Sequence, residues 1–163
     1  RQIDIGITNN IVPFAELKKH ELFRESYVLV THEKKELQEG EKVHMKMLDP
    51  AHEVYHIFSQ DFNRWHNYWI HPGNEKARVN LAHVAVDFLT DEKDWTILPE
   101  SVAQTLIEER RGNDDLHMYA LAPDVPERVA IAVTNRNAGA ETTRLTDDVI
   151  HMLKGWLTED DME

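Results

Sequence analysis

The stretch Trp95-Thr96-Ile97-Leu98-Pro99-Glu100-Ser101 decides the fold. An aromatic residue followed by β-branched residues predicts a short buried strand. Leu98-Pro99 ends this strand, because proline fixes φ and suits the first position of a helix. The helix that follows places Val102, Ala103, Leu106 and Ile107 on one face. A strand that passes directly into a helix is half of a βα unit, and α/β proteins bind ligands at the carboxyl ends of such strands. We therefore expect a ligand site to border residues 96–101.

The rest of the chain alternates strands with helices. Apolar runs predict further strands at 3–8, 27–31, 78–80, 117–121 and 128–134, and residues 54–58 suit a strand or the first turns of a helix. Helical periodicity predicts helices at 62–70, at 81–89 with Leu81, Val84, Ala85, Phe88 and Leu89 inward, and at 143–157 with Leu145, Val149, Met152, Leu153 and Trp156 on one side. This alternation predicts an α/β fold with mostly parallel sheets, in which the buried run Tyr27–Thr31 lies in a parallel sheet. The two long strands at 27–31 and 128–134 flank the middle of the chain, which suggests a hinge between two lobes.

Composition excludes several classes of function. The chain has no cysteine, which rules out disulfides and thiolate sites and fits a reducing, cytoplasmic setting. Its formal charge of −12 opposes direct binding to nucleic acid, because phosphate contacts depend on clustered Lys and Arg. No apolar run approaches the ~20 residues of a membrane span. The six glycines form no phosphate-binding loop, so we expect no nucleotide or other cofactor.

Three stretches together resemble the effector-binding domain of LysR-type transcriptional regulators. The first is Asp4-Ile5-Gly6-Ile7, followed by the passage Glu21-Leu22-Phe23-Arg24-Glu25-Ser26-Tyr27-Val28-Leu29-Val30. The second is Val79-Asn80 with the helix after it and Thr96-Ile97-Leu98-Pro99. The third is Pro126-Glu127-Arg128-Val129-Ala130-Ile131, which is similar to the family's strand that returns to the first lobe. In this order the three stretches cover nearly the whole chain.

The resemblance implies the two-lobed fold of periplasmic binding proteins with an incomplete first lobe. Residues 1–30 and 126–163 would belong to the first lobe, and residues 31–125 would form the second. The chain opens abruptly in a strand, so we expect the family's two earlier strands and its DNA-binding winged helix-turn-helix to lie outside this chain. The resemblance thus implies a sensor and not an enzyme. This sensor would act as a homo-oligomer and would reach DNA only through that missing segment.

By the same resemblance, a small-molecule effector would bind between the lobes. The contacts it implies are Thr8, Asn9, Ser59, Gln60, Asn80, His83, Leu98 and Pro99. Hydroxyl groups, amides and free N–H groups at helix N-termini can all donate hydrogen bonds, so these positions suit a small polar or anionic ligand.

Two alternatives stay open. His52-Glu53-Val54-Tyr55-His56 matches the H-E-x-x-H pattern of zinc metallopeptidases, in which both histidines bind zinc from one face of a helix and the glutamate acts as the base. Against this, Pro50 would lie inside the required helix, and a strand would hold the histidines ~13 Å apart. The second alternative is a stand-alone solute-binding module with no DNA-binding segment.

Overall fold

The computed structural model describes residues 3–9, 15–112 and 115–159. Within these ranges the strands are β1 Ile5–Thr8, β2 Leu17–Glu25, β3 Tyr27–Thr31, β4 Val43–His44, β5 Val54–His56, β6 Ala77–Val79, β7 Trp95–Pro99, β8 His117–Ala122 and β9 Arg128–Asn135. The α-helices are α1 Gln60–Trp69, α2 Glu100–Glu109 and α3 Ala140–Glu159. Short 3₁₀ helices span Met45–Met47, Pro50–His52 and Ala82–Phe88. The predicted α/β class is confirmed. Among the helices of these described ranges, none is long and apolar enough to cross a membrane.

The chain divides into two compact units. Unit 1 comprises Arg1–Arg24 and Arg128–Glu163, and unit 2 comprises Glu25–Glu127. The chain therefore leaves unit 1 at the end of β2 and returns to it at the start of β9. The lobe boundaries proposed from sequence, at residues 30 and 125, stay a prediction.

Unit 1 contains a three-stranded sheet in the order β1-β9-β2. β9 is the central strand and runs antiparallel to β1, with Ile5 opposite Thr134 and Thr8 opposite Ile131. β2 was not predicted, because its sequence LKKHELFRE is mostly polar and none of its residues is fully buried. A local apolar pattern does not predict such a strand, because its conformation depends on hydrogen bonding to β9 more than on burial of its side chains.

Helix α3 turns inward a face other than its apolar stripe. Thr146 and Ile150 are each 5% exposed, whereas Leu145 is 59% and Trp156 is 57% exposed. The stripe predicted to lie on one side of the helix is thus largely exposed, with Leu145, Val149, Met152 and Trp156 all facing solvent in the described chain. Helical periodicity detects an apolar stripe, but it does not identify the surface that covers it.

Unit 2 is built on strands that nearly all run in one direction. Its four-stranded sheet has the order β4-β8-β3-β7, and β5 and β6 form a parallel pair. β7 and β8 are both antiparallel to β3 and hence parallel to each other, while β4 is parallel to β8. A parallel bridge between Glu53 and Trp95 joins the β5-β6 pair to β7. The hydroxyl of Thr96 also donates to the Val54 carbonyl at 2.7 Å.

Strand β3 is the exception and corrects the sequence prediction. All five of its residues are buried, as predicted, but it runs antiparallel to both of its neighbours. A continuous apolar run is required wherever both faces of a strand are covered, whatever the direction of that strand. Burial can therefore be predicted from the run, but strand direction cannot.

Alternate residues of β3 face two cores on opposite sides of the sheet. Tyr27 and Leu29 pack with Phe62 of α1, and Val28 and Val30 pack with Leu106 of α2. This follows from the two-residue period of a strand. Each fully buried side chain of this size contributes roughly 1.5–3 kcal/mol, so the two helices hold the sheet from both faces.

Residues 82–88 form a 3₁₀ helix instead of the predicted α-helix. Ala85, Val86 and Leu89 are buried, but Leu81 is 55% and Phe88 is 45% exposed, which contradicts their predicted inward positions. A 3₁₀ helix has three residues per turn, so residues that share a face at 3.6 residues per turn separate around its axis.

Candidate functional site

The strands of unit 2 bring several predicted site residues to one edge. β5, β6 and β7 run in the same direction, so Ser59, Asn80 and Pro99 follow or end strands at the same side of the sheet. Tyr27 lies opposite Pro99 in the ladder, so β3 begins where the others end. We call this side the carboxyl edge of unit 2 and define it by Ser26, Ser59, Gln60, Asn80 and Pro99. In α/β sheets, ligands bind at such edges.

Helix α1 begins at the carboxyl edge. Ser59 is its N-cap residue, and its hydroxyl accepts a hydrogen bond from the Phe62 N–H at 3.1 Å. Gln60 is the first residue of the helix and is exposed. The two predicted contacts therefore have different roles, because the Ser59 hydroxyl already serves the helix while the Gln60 amide faces solvent.

Asn80 follows β6 and is held by a residue that the site prediction omitted. His56 Nε2 donates to the Asn80 carbonyl oxygen at 2.9 Å, and the buried Nδ1 of His56 has no hydrogen-bond partner in the described part of the chain. Burial lowers the pKa of His56, so its ring is neutral and Nδ1 is an acceptor. The centroid of the His56 ring lies 4.3 Å from that of Phe58, a residue of the segment that joins β5 to α1.

The start of α2 is already occupied by groups of unit 2. The Ser101 N–H donates to the Glu25 carboxylate at 3.0 Å, and the Glu100 N–H donates to the Ser26 carbonyl at 3.0 Å. The expectation that the N–H groups at this helix N-terminus are free is therefore wrong for these two. A carboxylate suits the positive end of a helix. Glu25 gives no local signal for this contact, because it lies 76 residues before Ser101.

The remaining predicted residues are not brought to one place within unit 2. Leu98 is fully buried in the core and Pro99 is also buried, so their side chains do not face solvent. His83 is exposed and lines a separate shallow cavity of about 430 Å³ with Ser101, Val102, Thr105 and Leu106. Thr8 and Asn9 lie at the end of β1 in unit 1. The set of effector contacts as a whole stays a prediction.

The H-E-x-x-H motif does not form a zinc site. His52 ends a 3₁₀ helix and Val54, Tyr55 and His56 form β5, so the helix that the motif needs is absent at these residues. His52 Nδ1 lies 3.0 Å from Asp94 Oδ1, and Glu53 contacts His66 at 2.6 Å. His56 bonds to Asn80 instead. The three side chains thus have separate partners, and the metallopeptidase alternative finds no support.

Glu53 and His66 form a buried, hydrogen-bonded pair at the amino end of β5, away from the carboxyl edge. They are only 1% and 2% exposed, and the second carboxyl oxygen, Oε2, has no hydrogen-bond partner among the described residues. Burial raises the pKa of Glu53, although the hydrogen bond from His66 opposes this shift. The Tyr55 ring stacks on His66 with centroids 4.2 Å apart, and burial raises the pKa of Tyr55 to about 12. The pair therefore ties α1 to the start of β5.

Comparison with protein-family models gives no match, and no curated protein matches the chain. Solved structures do match. The regulatory domain of CcmR from Synechocystis PCC6803 in complex with 2-PG has a TM-score of 0.66 and 11% identity, over 93% of this chain and 74% of that chain. The reduced OxyR regulatory domain from Pseudomonas aeruginosa has a TM-score of 0.65 and 12% identity, over 93% and 72%. The probable transcriptional regulator PA0477 from Pseudomonas aeruginosa has a TM-score of 0.63 and 15% identity, over 94% and 49%.

The matches cover nearly all of this chain but only part of each matched chain. The chain spans about half the length of the PA0477 chain, and 72–74% of the chains that are regulatory domains alone. At 11–15% identity, the matches establish the fold. The chain therefore has the fold of the effector-binding domains of LysR-type transcriptional regulators, as its sequence predicts.

Proposed function

We propose that the chain is the effector-sensing domain of a LysR-type transcriptional regulator and binds a small polar or anionic metabolite at the carboxyl edge of unit 2. The observation that carries this proposal is the common edge at which β5, β6 and β7 end and helices α1 and α2 begin. Polar side chains at such an edge converge on one ligand in α/β proteins.

The side chains at the carboxyl edge suit recognition by hydrogen bonds. Gln60 and Asn80 are exposed, and their amides can donate or accept hydrogen bonds. Unit 2 holds twice as many acidic as basic residues, so its long-range field opposes an anion, and binding an anionic effector depends on short-range hydrogen bonds at the edge. An anionic effector at the start of α2 would compete with Glu25 for the Ser101 N–H. Ser59, Leu98 and Pro99 complete the proposed contacts within unit 2, Leu98 and Pro99 through their backbone, while Thr8, Asn9 and His83 stay predictions from the resemblance.

The rest of the regulator's action is proposed by analogy. The structure of full-length CbnR with its target DNA covers 94% of this chain at 9% identity, which supports a DNA-binding partner segment outside this chain. An effector that binds one domain arrangement more tightly than another would shift the population of arrangements and thereby the DNA-binding segments. We also propose a cytoplasmic homo-oligomer without catalytic activity. The exposed apolar stripe Leu145, Val149, Met152 and Trp156 on α3 supports self-association, which sedimentation over a range of concentrations tests.

The effector proposal is tested with two matched variants. A thermal-shift screen with small carboxylates, phosphorylated metabolites and neutral polar metabolites identifies binders, and calorimetry then measures their affinity. For an anionic binder, Gln60→Glu should weaken binding about five- to tenfold. The new carboxylate at the carboxyl edge repels the ligand, and this repulsion is worth roughly 1 kcal/mol. Gln104→Glu makes the same change at an exposed position in the middle of α2 and should leave the affinity unchanged.

The screen also shows how the proposal could fail. An anion that binds equally well to both variants binds elsewhere on the chain, which contradicts the assignment of the carboxyl edge. Gln60→Glu introduces an acidic residue into the first turn of α1, where a negative charge is favourable, so a loss of binding would not come from unfolding.

A further inference from the structure

A second cavity opens at the opposite end of the unit 2 sheet. It has a volume of about 350 Å³ and lies where β3 ends at Thr31 and β7 begins at Trp95. Because these strands are five residues long, it lies ~13 Å along the strands from the carboxyl edge at Tyr27 and Pro99. The cavity is therefore separate from the proposed effector site, and its volume falls within the range of small-ligand sites.

Buried apolar side chains line part of this cavity. Trp95 is 2% exposed and Leu48 is 9% exposed, whereas Met47 at the rim is 76% exposed. The Trp95 Nε1–H donates to the Asp49 carbonyl at 2.9 Å, which fixes the indole ring. The exposed Met47 side chain is flexible and can close over an apolar group.

The cavity is also lined by cationic and hydrogen-bonding groups. Lys35, His52 and Lys93 all line it. His52 is held through Nδ1 by the Asp94 carboxylate, which is completely buried, so the Nε2 side of the ring is left for the cavity. Asp94 also accepts hydrogen bonds from the Lys76 ammonium and from the N–H groups of Thr90 and Asp91. The position of His52 is therefore set by a fully bonded carboxylate.

Carboxylate side chains also line this cavity. Glu33 and Asp49 line it together with the cationic groups, and Glu33 lies 2.7 Å from the Lys35 ammonium. Asp49 uses one oxygen, Oδ1, to accept the Ala51 N–H. A ligand with only a carboxylate would meet two like charges in a unit that is already acidic, and one with only an ammonium group would meet Lys35 and Lys93. A molecule that carries both charges can satisfy both sets of groups.

We propose that this cavity binds a small zwitterion, namely a free α-amino acid with a short apolar side chain. The carboxylate is bound by Lys93 and His52, and the ammonium group by Glu33 and Asp49. The apolar side chain packs on Leu48, Met47 and Trp95. This site is independent of the effector site at the carboxyl edge.

The proposal is tested by calorimetry on the whole chain with three matched probes. These are L-leucine, 4-methylpentanoate, which lacks the ammonium group, and 3-methylbutylamine, which lacks the carboxylate. L-leucine should bind at least about tenfold more tightly than either analogue, because each analogue loses one charge-assisted interaction. Lys93→Gln should weaken L-leucine binding about tenfold for the same reason. Lys19→Gln makes the same change at an exposed position of β2 in unit 1 and should have no effect.

Several outcomes would overturn the proposal. It is wrong if L-leucine gives no binding at about 10 mM, a concentration above that at which even weak sites fill. It is also wrong if either analogue binds as tightly as L-leucine, or if Lys19→Gln weakens binding as much as Lys93→Gln. Backbone amide shifts place the ligand, and shifts at Ser59 and Gln60 without shifts at Thr31 and His52 would assign it to the carboxyl edge instead.

Discussion

Replacing His66 by phenylalanine should destabilise unit 2 by roughly 3–5 kcal/mol, because it leaves a buried carboxyl group without its partner. Glu53 Oε1 lies 2.6 Å from His66 Nε2, and Oε2 has no partner among the residues described. Phenylalanine retains a ring against Tyr55, which stacks on His66 at 4.2 Å. The loss should therefore come from the broken Glu53–His66 hydrogen bond and not from packing.

The magnitude can be worked from the carboxyl group. Without His66, Glu53 can remain buried only as the neutral acid. Protonating a carboxyl group of ordinary pKa 4.5 at pH 7 costs about 3.4 kcal/mol, which is the upper limit here because the pKa of Glu53 is already raised in the folded wild-type chain. The missing hydrogen bond adds about 1 kcal/mol. The sum is a large part of the roughly 5–15 kcal/mol that stabilises a typical domain.

Urea unfolding followed by tryptophan fluorescence measures this effect, since Trp65, Trp69 and Trp95 all lie in unit 2. His71→Phe is the control, because His71 is exposed, and it should change the free energy of unfolding by less than about 0.5 kcal/mol. Adding Glu53→Leu to His66→Phe should recover most of the loss, because an apolar pair needs no hydrogen bonds. The reasoning fails if His66→Phe costs less than about 1 kcal/mol, or if the double variant is no more stable than the single one.

Two further predictions concern the same part of unit 2. Thr96→Val should lower the free energy of unfolding by about 1–2 kcal/mol, because it removes the buried hydrogen bond to the Val54 carbonyl. Thr105→Val, on the exposed face of α2, should cost less than half of this. Equal losses of stability in urea unfolding would contradict the role of the Thr96 hydrogen bond. Glu53→Gln should change how stability depends on pH. The pKa of Glu53 is raised in the folded chain, so above pH 4.5 the native state holds more protons than the unfolded state, and stability falls as the pH rises from 4.5 to the raised pKa. The variant should lack this fall, and an unchanged slope in unfolding measured against pH would refute the prediction.

Elements with a strong local signal could be predicted from sequence. Trp95–Pro99 forms β7 and passes into α2, and α1 begins at Gln60 close to the predicted start at 62. Both depend on neighbouring residues, namely a proline after an apolar run and apolar residues at helical spacing. β2 has no such signal, and its strand conformation comes from pairing with β9.

The candidate site was predicted less completely, for a physical reason. The positions of Ser59 and Asn80 after their strands follow from the order of elements along the chain. The contacts of the predicted polar residues join distant positions: Glu25 to Ser101, His56 to Asn80, and His52 to Asp94. Such pairs leave no periodic trace in the sequence, which is why the H-E-x-x-H pattern predicted a shared metal where the three side chains have separate partners.

The sequence by itself determined the α/β class, the positions of the buried strands β3, β7 and β9 and the resemblance to LysR-type effector-binding domains, because burial and turn chemistry are written in local residue order. Only the tertiary structure decided the direction of β3, the face that α3 turns inward and the partners of the charged side chains. Those features depend on which distant segments of the chain contact each other. A local apolar pattern predicts that a side chain is buried, but it does not predict which segment packs against it.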